Sequence, residues 1–235
     1  MISLKTSNAY GHPKKDDPIL APNHISNEVL EARKLWKVIS SNDLDTAITI
    51  LKKKLCYNTS SLYALCSWFK PRIVVETGVW FGASSSFILA ALSDNGGGRL
   101  YSIDLPSVTY NVDDKCKIKG KKVQSDIISG GLEPGFAIPK ELRGNWTLIK
   151  GDAKIELPKL MHSISNIDLF HHDSLHTYEH MWFEYNTIWP KLNEGGILAS
   201  DDVDWNDAFI NFCNSVGAKA HIFGSTGYAI KEKQA

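Results

Sequence analysis

The 235-residue chain has no surplus of either charge: lysine plus arginine number 26, and so do aspartate plus glutamate. A nucleic-acid partner usually leaves a basic excess, so no nucleic-acid role is expected. No apolar run approaches the ~18 residues that a membrane span needs. The segment Met1 to Asp17 is polar and lacks the apolar stretch of a signal peptide. A cytoplasmic protein without a membrane partner is the expectation. Cysteine is sparse and scattered. Cys56, Cys66, Cys116 and Cys213 include no pair at metal-ligand spacing, and they read as reduced, mostly buried thiols. Also missing is G-x-G-x-x-G, whose absence disfavours an NAD oxidoreductase. What remains is an ordinary globular composition, 43% hydrophobic, enough for a sizeable core.

Residues 1–25 hold Gly11, Pro13, Pro18 and Pro22 and read as an irregular arm. Residues 26–70 read as a helical extension. Ser26 caps its first helix, which runs to about Ser40. Asn42 or Asp43 caps the second, with Leu44, Ala47, Ile48, Leu51 and Leu55 on one face. The third carries Leu62, Leu65, Cys66 and Phe69, and Pro71 stops it. From 71 to 235 strands and helices alternate. Strands are expected at 73–75, 100–103, 146–150, 167–171 and 197–200, with helices at 82–92, 153–161, 176–192 and 205–216. Segments 219–223 and 228–231, around Gly224 and Gly227, read as a closing hairpin. The fold class is therefore α/β, a Rossmann-like, mostly parallel seven-stranded sheet with helices on both faces.

In such sheets ligands sit beyond the C-terminal ends of the strands. The first strand ends Glu76-Thr77-Gly78-Val79-Trp80-Phe81-Gly82-Ala83-Ser84, where glycines permit tight turning and close approach to a small nucleoside-type cofactor. The second ends at Asp104, whose two oxygens suit vicinal ribose hydroxyls; a plain turn cap is the alternative. The third ends Lys150-Gly151-Asp152-Ala153. Asp152 suits an adenine amino group and equally suits the N-cap of the next helix. Asp173 follows the fourth strand, and Asp201 and Asp202 follow the fifth.

These segments together resemble class I S-adenosylmethionine (SAM)-dependent methyltransferases. E-T-G-V-W-F-G-A-S at 76–84 is similar to their cofactor loop, closest to the catechol O-methyltransferase-like branch. R-L-Y-S-I-D at 99–104 resembles the ribose-binding strand. I-D-L-F-H-H-D-S-L-H-T-Y at 167–178 and L-N-E-G-G-I-L-A-S-D-D-V at 192–203 are similar to that branch's metal-binding half. More narrowly, the chain resembles methyltransferase family 24, from about Arg72 to Lys231. The resemblance implies SAM against Glu76, Gly78, Gly82, Ser84, Asp104, Asp152 and Ala153. It implies a metal on Asp173, Asp201 and Asp202, and a base at His176.

Elementary chemistry supports the last two assignments. Three converging carboxylates repel unless a cation lies between them, and hard oxygen ligands favour Mg²⁺. Capping explains Asp173 and Asp202, each before an expected helix, and leaves Asp201 unexplained. His176 offers a group titrating near neutrality to remove a hydroxyl proton. Its alternatives are a surface histidine, or a zinc ligand with His171, His172 and His180. Tyr178, Met181, Trp182, Tyr185, Ile188 and Trp189 have helical spacing and read as core.

The long connection at 105–145 carries Lys115, Lys117, Lys119, Lys121 and Lys122, then Gly130-Gly131 and Pro134-Gly135. It reads as a solvated face or a substrate lid. The N-terminal helices are placed over the site or at a homodimer surface. The expected activity is Mg²⁺-dependent O-methylation of a small-molecule hydroxyl, of a sugar or polyketide. Two rivals stay open: a hydroxylase-like relative with an iron site built on His171, His172 and His176, and a non-catalytic SAM-fold binding protein.

Overall fold

The computed structural model describes residues 22–39, 43–55, 57–105, 117–118, 121–122 and 133–232. The arm up to residue 21, Cys56, Cys116 and most of the 105–145 connection lie outside them. The first helix, α1, is Pro22–Val38. Ser26, expected as its cap, lies inside it. Proline is tolerated in a first helical turn, where its missing N–H is not needed. Helix α2 (Leu44–Lys54) is capped by Asp43, whose Oδ2 accepts from Thr46 N at 3.1 Å. Leu44, Ala47, Ile48 and Leu51 are buried on the expected face. Helix α3 (Ser61–Phe69) ends on Lys70, which is left-handed, and Pro71 prevents continuation.

The rest alternates as β1 (Ile73–Thr77), α4 (Ala83–Asp94), β2 (Arg99–Asp104), β3 (Lys117–Ile118), β4 (Lys121–Lys122), β5 (Trp146–Lys150), α5 (Ala153–Ser163), β6 (Ile167–His172), α6 (Tyr178–Ile188), β7 (Leu192–Ser200), α7 (Ala208–Ser215), β8 (Ala220–Phe223) and β9 (Thr226–Ile230). The main sheet has seven strands in the order β5-β2-β1-β6-β7-β9-β8. β9 runs antiparallel to both neighbours, and β3–β4 form a separate small ladder. Alternate side chains serve the two faces. Val74, Leu100, Leu169, Ile197 and Tyr228 pack with the N-terminal helices and α4, and Val75, Ile103, Phe170, Leu198 and Ala229 with α5, α6 and α7. Chain order leaves β1 towards β2 on one side and resumes with β6 on the other. The cleft for a ligand therefore lies at the ends of β1 and β6.

Several elements depart from expectation for visible reasons. β7 starts at Leu192 rather than 197. Its two glycines do not break it, because Gly195 N donates to Lys231 O and Lys231 N donates to Gly196 O. Gly227 belongs to β9 rather than to a turn; a Cβ there would meet the Phe209 ring at 2.8 Å. Cys66 and Cys213 are free and buried, and burial raises both thiols, Cys213 to about 11. No helix among the described residues is long and apolar enough to cross a membrane.

The N-terminal helices are bound to the sheet by polar ties. Lys52 Nζ donates to Phe223 O and Thr226 Oγ1, both at 2.6 Å. Tyr228 Oη donates to Asp45 Oδ1 at 2.6 Å. Arg33 and Tyr63 both donate to Asp94 Oδ2, at 2.7 and 2.8 Å.

Candidate active site

The loop between β1 and α4 turns on Gly78, with φ +82°, and Gly82, with φ +102°. At Gly78 a Cβ would run into the Asp173 carbonyl. At Gly82 it would strike Ile138. Both glycines thus let this loop pack against the chain's own neighbouring segments. Asp104 ends β2 and anchors the same loop: its Oδ2 accepts from Val79 N at 2.8 Å and Trp80 N at 2.7 Å. Burial raises the Asp104 carboxyl, against the lowering effect of these backbone donors. Trp80 is held left-handed at φ 48°.

Glu76 is fully buried, with Oε2 accepting from Ser85 Oγ at 2.5 Å and Ser102 Oγ at 2.8 Å. Its Oε1 lies 3.5 Å from His171 Nδ1, and neither atom has a hydrogen-bond partner. Ser84 is buried in the first turn of α4, and Ala153 opens α5. Asp152 is the N-cap of α5, accepting from Lys154 N at 2.8 Å, so the capping alternative is realised there. Glu76, Gly78, Gly82, Ser84 and Asp104 therefore sit together at the ends of β1 and β2, and Asp152 and Ala153 at the end of neighbouring β5.

The acid-bearing rim lies on the other side of β1. Asp173 follows β6, with its N–H donating to Thr77 O at 2.8 Å, and Asp201 N donates to His172 O at 2.9 Å. Neither Asp173 nor Asp202 caps a helix. Thr177 caps α6, accepting from His180 N, and α6 begins two residues later than expected. At α7, Asn206 Oδ1 accepts from Ala208 N at 2.8 Å, and the helix begins at Ala208 rather than Trp205. Asp202 is instead held left-handed at φ 49°, an uncommon conformation for a residue other than glycine. Desolvation, then the charges of Asp201 and Asp202, push the Asp173 carboxyl well above the usual range. A countercharge would relieve that crowding, and hard carboxylate oxygens suit Mg²⁺, so the donor chemistry fits. Among the described residues, no three histidine, cysteine or acidic side chains are gathered as a formed metal group.

His176 lies between two of these acids. Its Nε2 is 3.6 Å from Asp173 Oδ1 and its Nδ1 3.8 Å from Asp202 Oδ2. The ring packs 5.1 Å from His172 and 5.2 Å from Trp205. Nε2 is buried without a hydrogen-bond partner. Burial, then neighbouring His172, pull its pKa well below 6.5, so the near-neutral titration expected of it is corrected downward. Of the imidazoles weighed as a zinc or iron set, His172 packs 5.1 Å from His176 and 6.5 Å from His180, and His171 alone stands apart from them. His171 lies beside Glu76 on one side of β6, and His172 binds Glu184 on the other.

Sequence reasoning missed Glu184, Ser85 and Ser102. Glu184 accepts from Thr77, 107 residues away, Ser102 donates to Glu76, 26 away, and Ser85 donates to Glu76 across the turn into α4; no local pattern marks any of them. In the helical face read as core, Met181, Tyr185 and Ile188 are buried, while Tyr178 is exposed and stacks on Trp182 at 5.7 Å.

A glycine loop after β1, an acid ending β2, and an acid–histidine rim after β6 and β7 lie at the strand ends, the arrangement expected of a class I methyltransferase. The model of methyltransferase family 24, a methyltransferase domain, matches residues 75–203, more than half of the 235-residue chain. The chain belongs to that family. No curated protein matches it. Solved structures share its fold. The calicheamicin methyltransferase CalS11 is 18% identical, with TM-score 0.55, over 89% of this chain and 93% of its own. The SAH-bound methyltransferase PaMTH1 of Podospora anserina is 14% identical, with TM-score 0.53, over 89% and 88%. The mycinamycin-pathway methyltransferase MycE, in complex with Mg, SAH and mycinamycin VI, is 12% identical, with TM-score 0.51, over 81% and 54%.

Proposed function

We propose that this SAM-dependent methyltransferase acts on oxygen, transferring the methyl group to a hydroxyl of a small molecule with the help of Mg²⁺. The observation that carries this reading is His176 Nε2, buried and without a partner, 3.6 Å from Asp173 at the rim beside Gly78. Asp173, Asp201 and Asp202 would hold the ion, which supplies a Lewis acid that lowers the pKa of the acceptor hydroxyl. MycE, in complex with Mg and mycinamycin VI, supports the metal and a small-molecule acceptor. CalS11, whose apo form is described as a TDP-rhamnose 3'-O-methyltransferase, supports a sugar.

The chain's own groups supply the rest. Burial favours the neutral imidazole of His176, and in the tautomer with hydrogen on Nδ1 its Nε2 would take the acceptor proton. The acceptor oxygen forms its bond to the methyl carbon as the carbon–sulfur bond breaks. Asp104 holds the β1–α4 loop so that donor and acceptor meet in line, and such alignment removes much of the barrier.

The test is calorimetry followed by transfer from methyl-labelled SAM to sugar, polyketide and catechol-type hydroxyls. SAM and SAH should bind, NAD should bind much more weakly, and the label should appear as a methyl ether. Binding of SAM without transfer to any hydroxyl would favour the non-catalytic alternative. Absence of SAM binding would overturn the reading outright.

A further inference from the structure

Glu184 lies on α6 and is fully buried. Donors from four segments converge on its carboxylate. Thr77 Oγ1, at the end of β1, and His172 Nδ1, at the end of β6, reach Oε2 at 2.6 Å each. Ser174 Oγ, in the following loop, and His180 Nε2, on α6, reach Oε1 at 2.8 and 2.9 Å. A buried charge is costly unless its hydrogen bonds are made, and here each oxygen has two donors. An ionised carboxylate only accepts. His172 must therefore carry hydrogen on Nδ1 and His180 on Nε2.

The four donors bracket the proposed chemistry. Thr77 directly precedes Gly78 of the cofactor loop. His172 and Ser174 flank Asp173, and His180 lies in the first turn of α6, four residues after His176. One carboxylate thus ties the methyl-donor side of the cleft to the side that carries the acid–base loop.

We propose that Glu184 is the positioning residue that sets the separation between the bound methyl donor and the loop of Asp173 and His176. This rests on the methyl-transfer reading above. Glu184 acts through Thr77, His172, Ser174 and His180 and touches no reacting atom. Misplacement of reacting groups by about 1 Å costs on the order of 10²-fold in rate. A carboxylate with a merely structural role would change stability and leave turnover per folded molecule unaltered.

The test uses the full chain. Nitrogen-15 spectra of the imidazoles, which do not depend on turnover, should place hydrogen on His172 Nδ1 and His180 Nε2 in the wild type. The opposite placement would overturn the proposal. Glu184→Gln keeps the shape but turns one accepting atom into a donor. Hydroxyl and imidazole can both reverse to accept, so its amide nitrogen should face either Ser174 and His180 or Thr77 and His172, moving the facing imidazole's hydrogen to its other ring nitrogen. Turnover should fall by about tenfold or more, while SAH affinity stays within about threefold, because alignment rather than binding is lost. Full turnover in a folded Glu184→Gln would overturn the proposal. If that variant does not fold, Ser174→Ala and Thr77→Val each remove one tie, and unchanged turnover in both would overturn it as well. A wild type that binds SAH and shows the expected tautomers, yet methylates no hydroxyl, would bring down the functional reading and the positioning role with it. The tautomers distinguish that outcome from a failure of the geometry.

Discussion

A base needs an accessible nitrogen before it needs a matched pKa, and His176 Nε2 has no hydrogen-bond partner that would occupy it. His176→Ala should lower kcat by roughly 10²–10⁴, the usual range for loss of a general base. SAH affinity should hold, because the imidazole lies on the acid rim and not on the Gly78 loop; calorimetry beside steady-state rates checks both. Full activity would return His176 to a packing role against Trp205. Gly78 is constrained differently. Gly78→Ala meets the left-handed penalty, about 1–2 kcal/mol, and the Asp173 carbonyl as well. Its melting temperature and SAM affinity should both fall; unchanged values would show that the loop shifts freely. At this scale the sequence was partly legible. Glycines, strand-end acids and His176 stand at positions set by strand and loop order, which period and turn chemistry reveal. Glu184 was not legible, because its bond to Thr77 spans 107 residues and only the folded sheet brings them together.

Between elements, ties of side chain to backbone decide what moves. Lys52 joins α2 to the β8–β9 hairpin. Lys52→Met should cost about 1.5–3 kcal/mol, as for hydrogen bonds from a charged donor. That is a fall in melting temperature of roughly 2–4 °C per kcal/mol for a chain of this size. No change on scanning calorimetry would mean that apolar contacts of Ile48 and Leu51 alone hold the helix. Glu184 joins β1, β6 and α6, and its effect depends on pH. Burial opposes its ionisation, but His172 and His180, by charge and hydrogen bond, outweigh that and hold the carboxyl well below the ordinary 4.5. A depressed acid stabilises fully above its unfolded pKa, and the stabilisation is lost as pH falls below it. Thermal melts of wild type and Glu184→Gln should therefore differ most near pH 7 and converge as pH drops below about 4.5. A constant gap would show that the carboxylate's charge contributes nothing. Element type and order were readable from period and turn residues. The starts of α6 and α7 were not, because Thr177 caps α6 and Asn206 Oδ1 takes the first N–H of α7, in place of the acids upstream.

Across the whole molecule, the reversal of strand order between β1 and β6 concentrates function at one edge of the sheet. The cofactor loop, the acid after β2 and the acid–histidine rim all lie at strand ends around that reversal. Strand–helix alternation made this layout legible from sequence. The placement of α1, α2 and α3 against the face of Val74, Leu169 and Ile197 was not legible, because amphipathic helices declare that they pack but not on what. The charges of Asp201 and Asp202 acting on Asp173 underlie the metal assignment, and metal dependence tests that directly. With an acceptor identified, turnover should vanish in EDTA and return with Mg²⁺ or Mn²⁺, while SAH still binds in EDTA through β1 and β2. Asp201→Ala and Asp202→Ala should lose the return with metal and keep the fold. Full turnover in EDTA would contradict the metal assignment and require His176 alone to activate the acceptor.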